Sequence, residues 1–524
     1  MSSGALTRRP VDRGGVAFSG LRAAPVVVRA VVALTALGAV LRFMGIGHQG
    51  FWFDEANTVL LVHLSPGRML GLIPHSESTP PLYYCVAWVW VRVFGDGEAG
   101  LRSLSALAGV AVIPVAYAAA AALSTRRTGV IVAALAACNP LLIWYSQEAR
   151  SYELLVLLTG LALLAFAHAR RRPSGRALTA WGVAGALALA THYYAVLAIA
   201  PQAVWLAAAH RRDRRVMTAV VVVALCGLAL IPLALSQNAT GHDSWIGHSP
   251  LGIRLGQIIP QFLIGTGAPA ARLLTAMAVV LAGGALVAGA LAGTVARRGP
   301  ALTGGALALA GFLLSLALVA AGHDALITRN LIALWLPAAI AVAAGVSALA
   351  QRGARAAPAA AVAITAALCT IGVTAVVGVA ADRSLQRPDW RPVAAMLGSG
   401  PPAGTVRIIL IQHYRDLLPL SLYVRHLAFL PAPGESRVGE IDVIAISSPR
   451  QALCWWGAAC NLTSSRLQAV YPIPGFHELW RRRVLQFTIM RLVSDGPWPV
   501  ARGAVAAALT ATSLHRDDLL IQRS

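Results

Sequence analysis

The chain contains no lysine: all 43 of its basic residues are arginine. This reads as the mark of a GC-rich genome rather than of a demand for guanidinium chemistry. Charge of either sign is scarce. Of 524 residues only 12% are charged and 57% are hydrophobic, with mean hydropathy +0.67. That balance excludes a water-soluble globule of this length and requires a polytopic membrane protein. Cysteine is also scarce, with six in all. Cys85, Cys138, Cys226 and Cys369 lie in or beside apolar segments, where a small apolar side chain suffices, and no metal-ligand spacing is present. Cys454 and Cys460 lie close together in a polar region, where an exoplasmic setting would permit a disulfide that spacing alone does not decide. The formal charge of +22 does not imply a nucleic-acid partner. The arginines fall in short runs between apolar segments, the pattern of cytoplasmic loops meeting anionic lipid. Internal repeats, a cleavable signal sequence and low-complexity tracts beyond an Ala/Val/Leu bias are all missing.

The apolar runs that are present set an order. Residues 1–24 carry Arg8, Arg9, Arg13 and Arg22 and form a cytoplasmic tail ahead of a first span at about 25–46. The run Pro81 to Phe94 decides the orientation of everything after it. It is short for a span, contains Arg92 and is rich in Tyr and Trp, so it reads as an interfacial or re-entrant helix within an outer loop, 47–99. Further spans then fall near 100–123, 129–145, 152–169, 178–193, 194–209, 216–236, 272–294, 301–321, 329–350 and 357–381, about eleven in total. This arrangement puts Arg126-Arg127, Arg170-Arg171-Arg172, Arg211 to Arg215, Arg297-Arg298 and Arg352 with Arg355 in the cytoplasm. Of the ten acidic residues between 47 and 381, only Asp213 then faces the cytoplasm. Segregation of the others to the outer side points to chemistry there. After about 382 the long apolar runs stop. Thr405–Gln412 and Ile441–Ser447 read as strands and Leu417–Leu427 as a helix, so 382–524 is expected to form a small exoplasmic α/β domain. The localisation that follows is a multi-pass protein of the plasma (inner) membrane.

The outer loops concentrate the reactive side chains. Phe51-Trp52-Phe53-Asp54-Glu55 places two carboxylates in an aromatic frame just past the first span, and His75, Glu77 and Tyr83 follow. Such a pair is either a solvated turn or a base whose proton affinity its apolar frame shifts, able to activate a hydroxyl nucleophile. A second cluster, Tyr145 to Tyr152, contains Glu148 and Arg150. It is either a helix-end ion pair or, through the Arg150 guanidinium, a phosphate ligand. Thr191-His192-Tyr193-Tyr194 is an aromatic belt or part of a site. Arg329, after His323 and Asp324, snorkels or holds phosphate. His242, Trp245 and His248 share an outer loop whose spacing assigns no role. Together these supply a base for an acceptor hydroxyl, cations for a leaving lipid phosphate, and aromatic surfaces for a sugar and an isoprenoid tail.

In these motifs the chain resembles the GT-C glycosyltransferases, specifically the family 39-like, dolichyl-phosphate-mannose protein mannosyltransferase-related enzymes of bacteria. Its all-arginine, alanine-rich composition suggests an actinobacterial member. The resemblance runs through Phe53-Asp54-Glu55-Ala56, His75 to Tyr84, Ser146 to Tyr152, Thr191-His192-Tyr193, Arg329-Asn330 and Pro388-Asp389-Trp390-Arg391, within roughly residues 25–425. It implies a GT-C fold and inverting transfer of a sugar, mannose or another hexose or pentose, from a polyprenyl-phosphate donor. The acceptor would be a hydroxyl of a glycan, lipoglycan or protein at the exoplasmic face of the bilayer. Residue by residue it implies Asp54 as catalytic base supported by Glu55, and Arg150 and Arg329 on the donor phosphate. His75, Glu77, Tyr83, Tyr152, His192 and Tyr193 would contact substrate. Glu148 would be the acidic position that in some relatives holds a divalent metal, Mg or Mn. The second cluster lacks the Asp-x-Asp of oligosaccharyltransferases, and the region after about 430 matches no known module. There Trp455, Trp456 and Trp480 serve either as a carbohydrate platform or as core packing. The competing reading is a transporter or flippase of a lipid-linked envelope intermediate, which calls for inverted repeats and ionisable groups near span centres.

Overall fold

The computed structural model describes residues 15–247, 249–292, 295–351, 355–401, 403–411, 417–430, 437–446, 471, 473–494 and 518–523. Cys454, Cys460, Trp455, Trp456, His248 and most of the N-terminal tail lie outside these residues.

The chain begins with α1 (Gly15–Phe43), followed by three short helices in the first loop, α2 (Phe53–Val62), α3 (Pro66–Ser76) and α4 (Leu82–Phe94). Next come α5 (Glu98–Leu123), α6 (Arg126–Cys138), α7 (Pro140–Ser146), α8 (Tyr152–Arg171), α9 (Gly175–Thr191) and α10 (Val196–Ala209). They are followed by α11 (Arg214–Ala229), α12 (Ile231–Ala239), α13 (Ser244–Gly247), α14 (Leu251–Ile264), α15 (Ala271–Ala290), α16 (Val295–Ala320), α17 (Trp335–Leu349) and α18 (Ala357–Ala381). Each of the eleven apolar segments read from the sequence is mainly helical among the described residues. Among the described residues, eight helices are long and apolar enough to cross a bilayer, or nine if α6 and α7 form one span bent by 56°. By length alone the count stops short of eleven, because α9 has 17 residues and α10 has 14. Helix α4, with 13 residues, is only about 20 Å long and does not reach across a core of about 30 Å. Helix α14 was not anticipated.

The bend between α6 and α7 has a local cause. Pro140 has no N–H to give the Ala136 carbonyl, so the helix stops and Asn139 caps the next one by accepting from the Leu142 N–H. The buried Arg42 guanidinium takes up the freed carbonyls, donating to Ala136 O at 2.9 Å and Ala137 O at 3.2 Å. Where α15 crosses α17 the backbones nearly touch. A Cβ on Gly345 would lie 1.8 Å from Ala285 O, so no other residue fits there.

Helix α8 has 20 residues, about 30 Å, and joins two ends of the bundle. At its C-terminal end Arg170 donates to Thr303 Oγ1 and its carbonyl meets His210 Nε2, each at 3.1 Å. The arginine-rich loops around 170 and 210 therefore gather at one end, opposite the Asp54 motif.

Beyond α18 the chain forms α19 (Trp390–Leu397), α20 (Leu417–Ser421) and a six-stranded sheet. Its strands are β1 (Val406–Ile411), β2 (Leu427–Phe429), β3 (Val438–Ile446), β4 (Phe476–Val484), β5 (Phe487–Ser494) and β6 (Asp518–Arg523), in the order β2-β6-β1-β3-β5-β4. β1 runs parallel to β3, and the other pairings are antiparallel. One face packs on α19 and α20 through Trp390, Leu420, Ile409 and Phe487. The helix expected over 417–427 is shorter than that. It ends at Ser421, and His426, in the left-handed region at φ 58°, turns the chain into β2.

The sheet is tied to the membrane helices by specific contacts. Gln486 in the β4–β5 turn donates to the Arg383 carbonyl at 2.6 Å, directly after α18. Tyr423 Oη accepts from Phe51 N at 2.7 Å and donates to Glu98 at 2.9 Å. Asp389 accepts from Gly50 N at 3.0 Å. A Cβ on Gly50 would come within 2.5 Å of that carboxylate, so a larger residue there would push Asp389 aside.

Candidate active site

Helix α2 opens at Phe53, so Asp54 and Glu55 occupy its first turn about 100° apart and meet different surroundings. Glu55 turns inward and is fully buried. It receives Arg102 Nε at 2.7 Å and Nη2 at 2.6 Å, and the Ala149 N–H at 2.8 Å. Arg102 also donates to the carbonyls of Ile46, Gln49 and Gly50, so the pair fastens the 46–55 loop to α5 and to the start of the 149–152 turn. Asp54 turns the other way, into an open cleft with about 640 Å³ of empty space. Its Oδ2 accepts from Arg329 Nη1 at 2.9 Å.

A second ion pair forms the adjoining wall. Arg150 grips Glu77 with both terminal nitrogens at 3.0 Å and donates to the Asp54 carbonyl at 3.2 Å. Asn57 Nδ2 holds the same carboxylate at 2.7 Å. Each cleft arginine therefore carries a carboxylate partner, which avoids an unpaired charge at the buried Arg150 and the half-buried Arg329. Tyr152 and His192 complete this side, their rings 5.5 Å apart. The Arg329 guanidinium lies over Tyr152 at 6.0 Å and over Trp245 at 5.6 Å.

Of the expected site residues, Asp54, Glu77, Arg150, Tyr152, His192 and Arg329 come together around the cleft. The others do not line it. Glu55 is the buried anchor just described. His75 is exposed on α3. Tyr83 is buried, with its hydroxyl 3.5 Å from Ser105 Oγ. Tyr193 donates to Gln237 at 2.7 Å, and its neighbour Tyr194 lines the cleft instead. Glu148 lies behind the cleft with its Oε2 held by Arg387 Nη2 at 2.6 Å and its Oε1 buried without a partner. Burial pushes its pKa up to about 7, against the pull of Arg387 and with the help of the Asp54 and Glu55 charges. A metal fits this position poorly. A guanidinium already occupies the carboxylate, and no group of three His, Cys, Asp or Glu side chains is placed to hold a cation among the described residues.

Several residues of the site were not anticipated. Arg387 stacks on Trp144 at 3.9 Å and reaches the Trp144 carbonyl at 3.1 Å. Its only signal in the sequence is its place directly before Pro388-Asp389-Trp390-Arg391. Trp245 and Asp243, in a loop without recognisable spacing, line the same cleft as Asp54 together with Tyr194.

Residues 78–236 match the family model described as dolichyl-phosphate-mannose-protein mannosyltransferase. In structure the chain is similar to ArnT from Cupriavidus metallidurans in the apo state, with TM-score 0.53 and 13% identity over 90% of this chain and 98% of that one. ArnT bound to undecaprenyl phosphate gives 0.49 and 14% over 88% and 97%. The apo Archaeoglobus fulgidus oligosaccharyltransferase gives 0.43 and 13% over 76% and 63%. The arabinofuranosyltransferase AftD from Mycobacteria gives 0.44 and 18% over 89% and 41%. No curated protein matches the chain in sequence. With a family match over residues 78–236 and an ArnT-like fold around it, the chain has a GT-C-like membrane fold and carries a segment similar to the dolichyl-phosphate-mannose-protein mannosyltransferases.

Proposed function

We propose that the protein transfers a sugar, mannose or another hexose or pentose, from a polyprenyl-phosphate donor to a hydroxyl acceptor at the exoplasmic face, with inversion and with Asp54 as general base. The observation that carries this reading is the Asp54 carboxylate meeting the Arg329 guanidinium at 2.9 Å at the mouth of an open cleft. Displacement at an anomeric carbon requires a base for the incoming hydroxyl and a cation for the leaving phosphate, and one cleft holds both. Asp54 removes the proton of the acceptor hydroxyl as its oxygen bonds to the anomeric carbon. The bond from that carbon to the phosphate oxygen breaks on the opposite face, and its electron pair leaves with the polyprenyl phosphate. Arg329, and Arg150 behind it, offset the charge that develops there. No step runs through a metal. The family match, whose description names a polyprenyl-phosphate sugar, favours this donor class. The acceptor class is a glycan, lipoglycan or protein hydroxyl.

The exoplasmic setting is supported by the arginine-rich loops around 170 and 210, which gather at the far end of α8 from the cleft. The N-terminal tail is then cytoplasmic, and the sheet region from about 382 onward is exoplasmic. The deciding experiment offers the purified protein in nanodiscs a panel of radiolabelled polyprenyl-phosphate sugars with a membrane-lipid and cell-wall fraction. Wild type should move label from one donor, and Asp54→Asn should transfer about 10²–10⁴-fold more slowly while still binding it. Equal turnover by the two proteins would remove Asp54 from the role of base.

A further inference from the structure

We infer that Trp245, with Asp243 beside it, forms the subsite for the sugar ring of the donor, and that this subsite selects an uncharged sugar. The inference rests on the sugar-transfer reading of the same cleft. In a polyprenyl-phosphate sugar the ring is bonded directly to the phosphate, so once Arg329 engages the phosphate the ring must begin next to Arg329. Two rings flank that point, and of these Tyr152, 6.0 Å from the guanidinium carbon, is buried, whereas Trp245, at 5.6 Å, is half-buried and presents its surface to the cleft. The flat, weakly polar C–H face of a pyranose or furanose packs on an indole, and its hydroxyls project sideways to polar neighbours.

The segment that presents Trp245 is braced. Arg254 grips Asp324 at 2.6 and 2.7 Å and also donates to the carbonyls of Ser249 and Leu326, each at 2.9 Å. The loop between α12 and α14 is thereby pinned to the strand-like segment that leads into Arg329. The indole and the phosphate-seeking guanidinium are thus held on one framework, as a preorganised subsite requires.

The selectivity follows from charge. Arg329 is committed to the donor phosphate, and Arg150 to Glu77. Asp243 lines the same cleft, and no arginine among the described residues pairs with it. It accepts hydrogen bonds from sugar hydroxyls and repels a sugar carboxylate. The subsite therefore suits a neutral hydroxyl-rich ring and disfavours a uronic acid.

The test measures binding of three lipids to the full-length protein in nanodiscs: undecaprenyl phosphate, its mannosyl ester and its glucuronosyl ester. Trp245→Ala should weaken the mannosyl lipid about tenfold while leaving undecaprenyl phosphate within about twofold, and Trp245→Phe should retain most of the difference. Unchanged melting of the variants excludes a folding defect. Equal weakening of both lipids by Trp245→Ala, or none, overturns the subsite. Wild-type affinity for the glucuronosyl lipid equal to that for the mannosyl lipid overturns the charge selection. If wild type binds none of the three, the sugar-transfer reading itself falls, and the subsite with it.

Discussion

Arg329 and Asp54 lie 275 residues apart in the chain, and their side chains meet at 2.9 Å. One stands at the start of a late span and the other in the first turn of α2, so the pair joins an early and a late segment of the chain at one wall of the open cleft. Each is partly exposed, at 20% and 16% of the side chain. At that exposure the pair contributes modestly to stability, and its value lies in the chemistry it prepares.

Arg329→Ala should therefore leave folding nearly intact and lower the rate of transfer about 10²–10³-fold, the usual cost of losing one donor to a developing oxyanion. Arg329→Lys should recover part of it, because a point charge replaces a fork. Undiminished donor affinity and rate in Arg329→Ala would leave the residue as a snorkelling side chain.

Asp54 and Glu55 are adjacent and should behave oppositely. Glu55 is buried with two guanidinium contacts and the backbone N–H groups of Ala149 and Trp52. Glu55→Ala leaves Arg102 charged and unpaired in the interior, at a cost of about 3–5 kcal/mol. Its melting temperature should drop markedly, whereas that of Asp54→Asn should stay near wild type. In a double-mutant cycle Glu55→Ala and Arg102→Ala should cost less together than the sum of the two. Additive losses would show that the pair is not a unit.

This contrast marks what the sequence discloses. The membrane class, the short α4 and the residues that converge on Asp54 are legible, because apolar runs and short polar motifs are local properties of the chain. The burial of Glu55 as an anchor is not, since it depends on Arg102, which is 47 residues away. Arg387 meets Glu148 across 239 residues and Arg254 meets Asp324 across 70, and no periodicity announces either pairing. Helix α14 escaped notice because Arg254 and Gln257 interrupt its apolar run, and only the folded structure supplies the carboxylate and carbonyls that bury Arg254. The β2 strand, of which only Leu427 falls within the helix expected over 417–427, is not legible because its pairing with β6 joins segments about 90 residues apart.

Glu148 predicts a pH dependence of stability. Its pKa rises from 4.5 to about 7 on folding, chiefly through burial, so the folded protein holds the proton more tightly. Stability from this group is complete below about pH 4.5 and is lost as pH rises through about 7. Glutamine does not titrate. The melting temperature of wild type minus that of Glu148→Gln should therefore fall between about pH 5 and pH 8. A difference that stays flat over this interval, or rises, would refute the shift.

Arg42 and Pro140 offer a test inside the membrane. Pro140 cannot donate to the Ala136 carbonyl, and Arg42 supplies that bond from α1 at 2.9 Å. An unpaired carbonyl in an apolar interior costs about 1–3 kcal/mol, and water is not at hand to replace the arginine. Arg42→Met, which keeps the bulk and loses the donors, should destabilise the protein. Pro140→Ala restores an N–H four residues beyond Ala136, so in that background the helix can satisfy its own carbonyl and Arg42→Met should cost less, by about 1 kcal/mol. The cycle is read from thermal melting in detergent. A cost for Arg42→Met that is the same in both backgrounds would mean that Arg42 stabilises the bundle through something other than the break between α6 and α7.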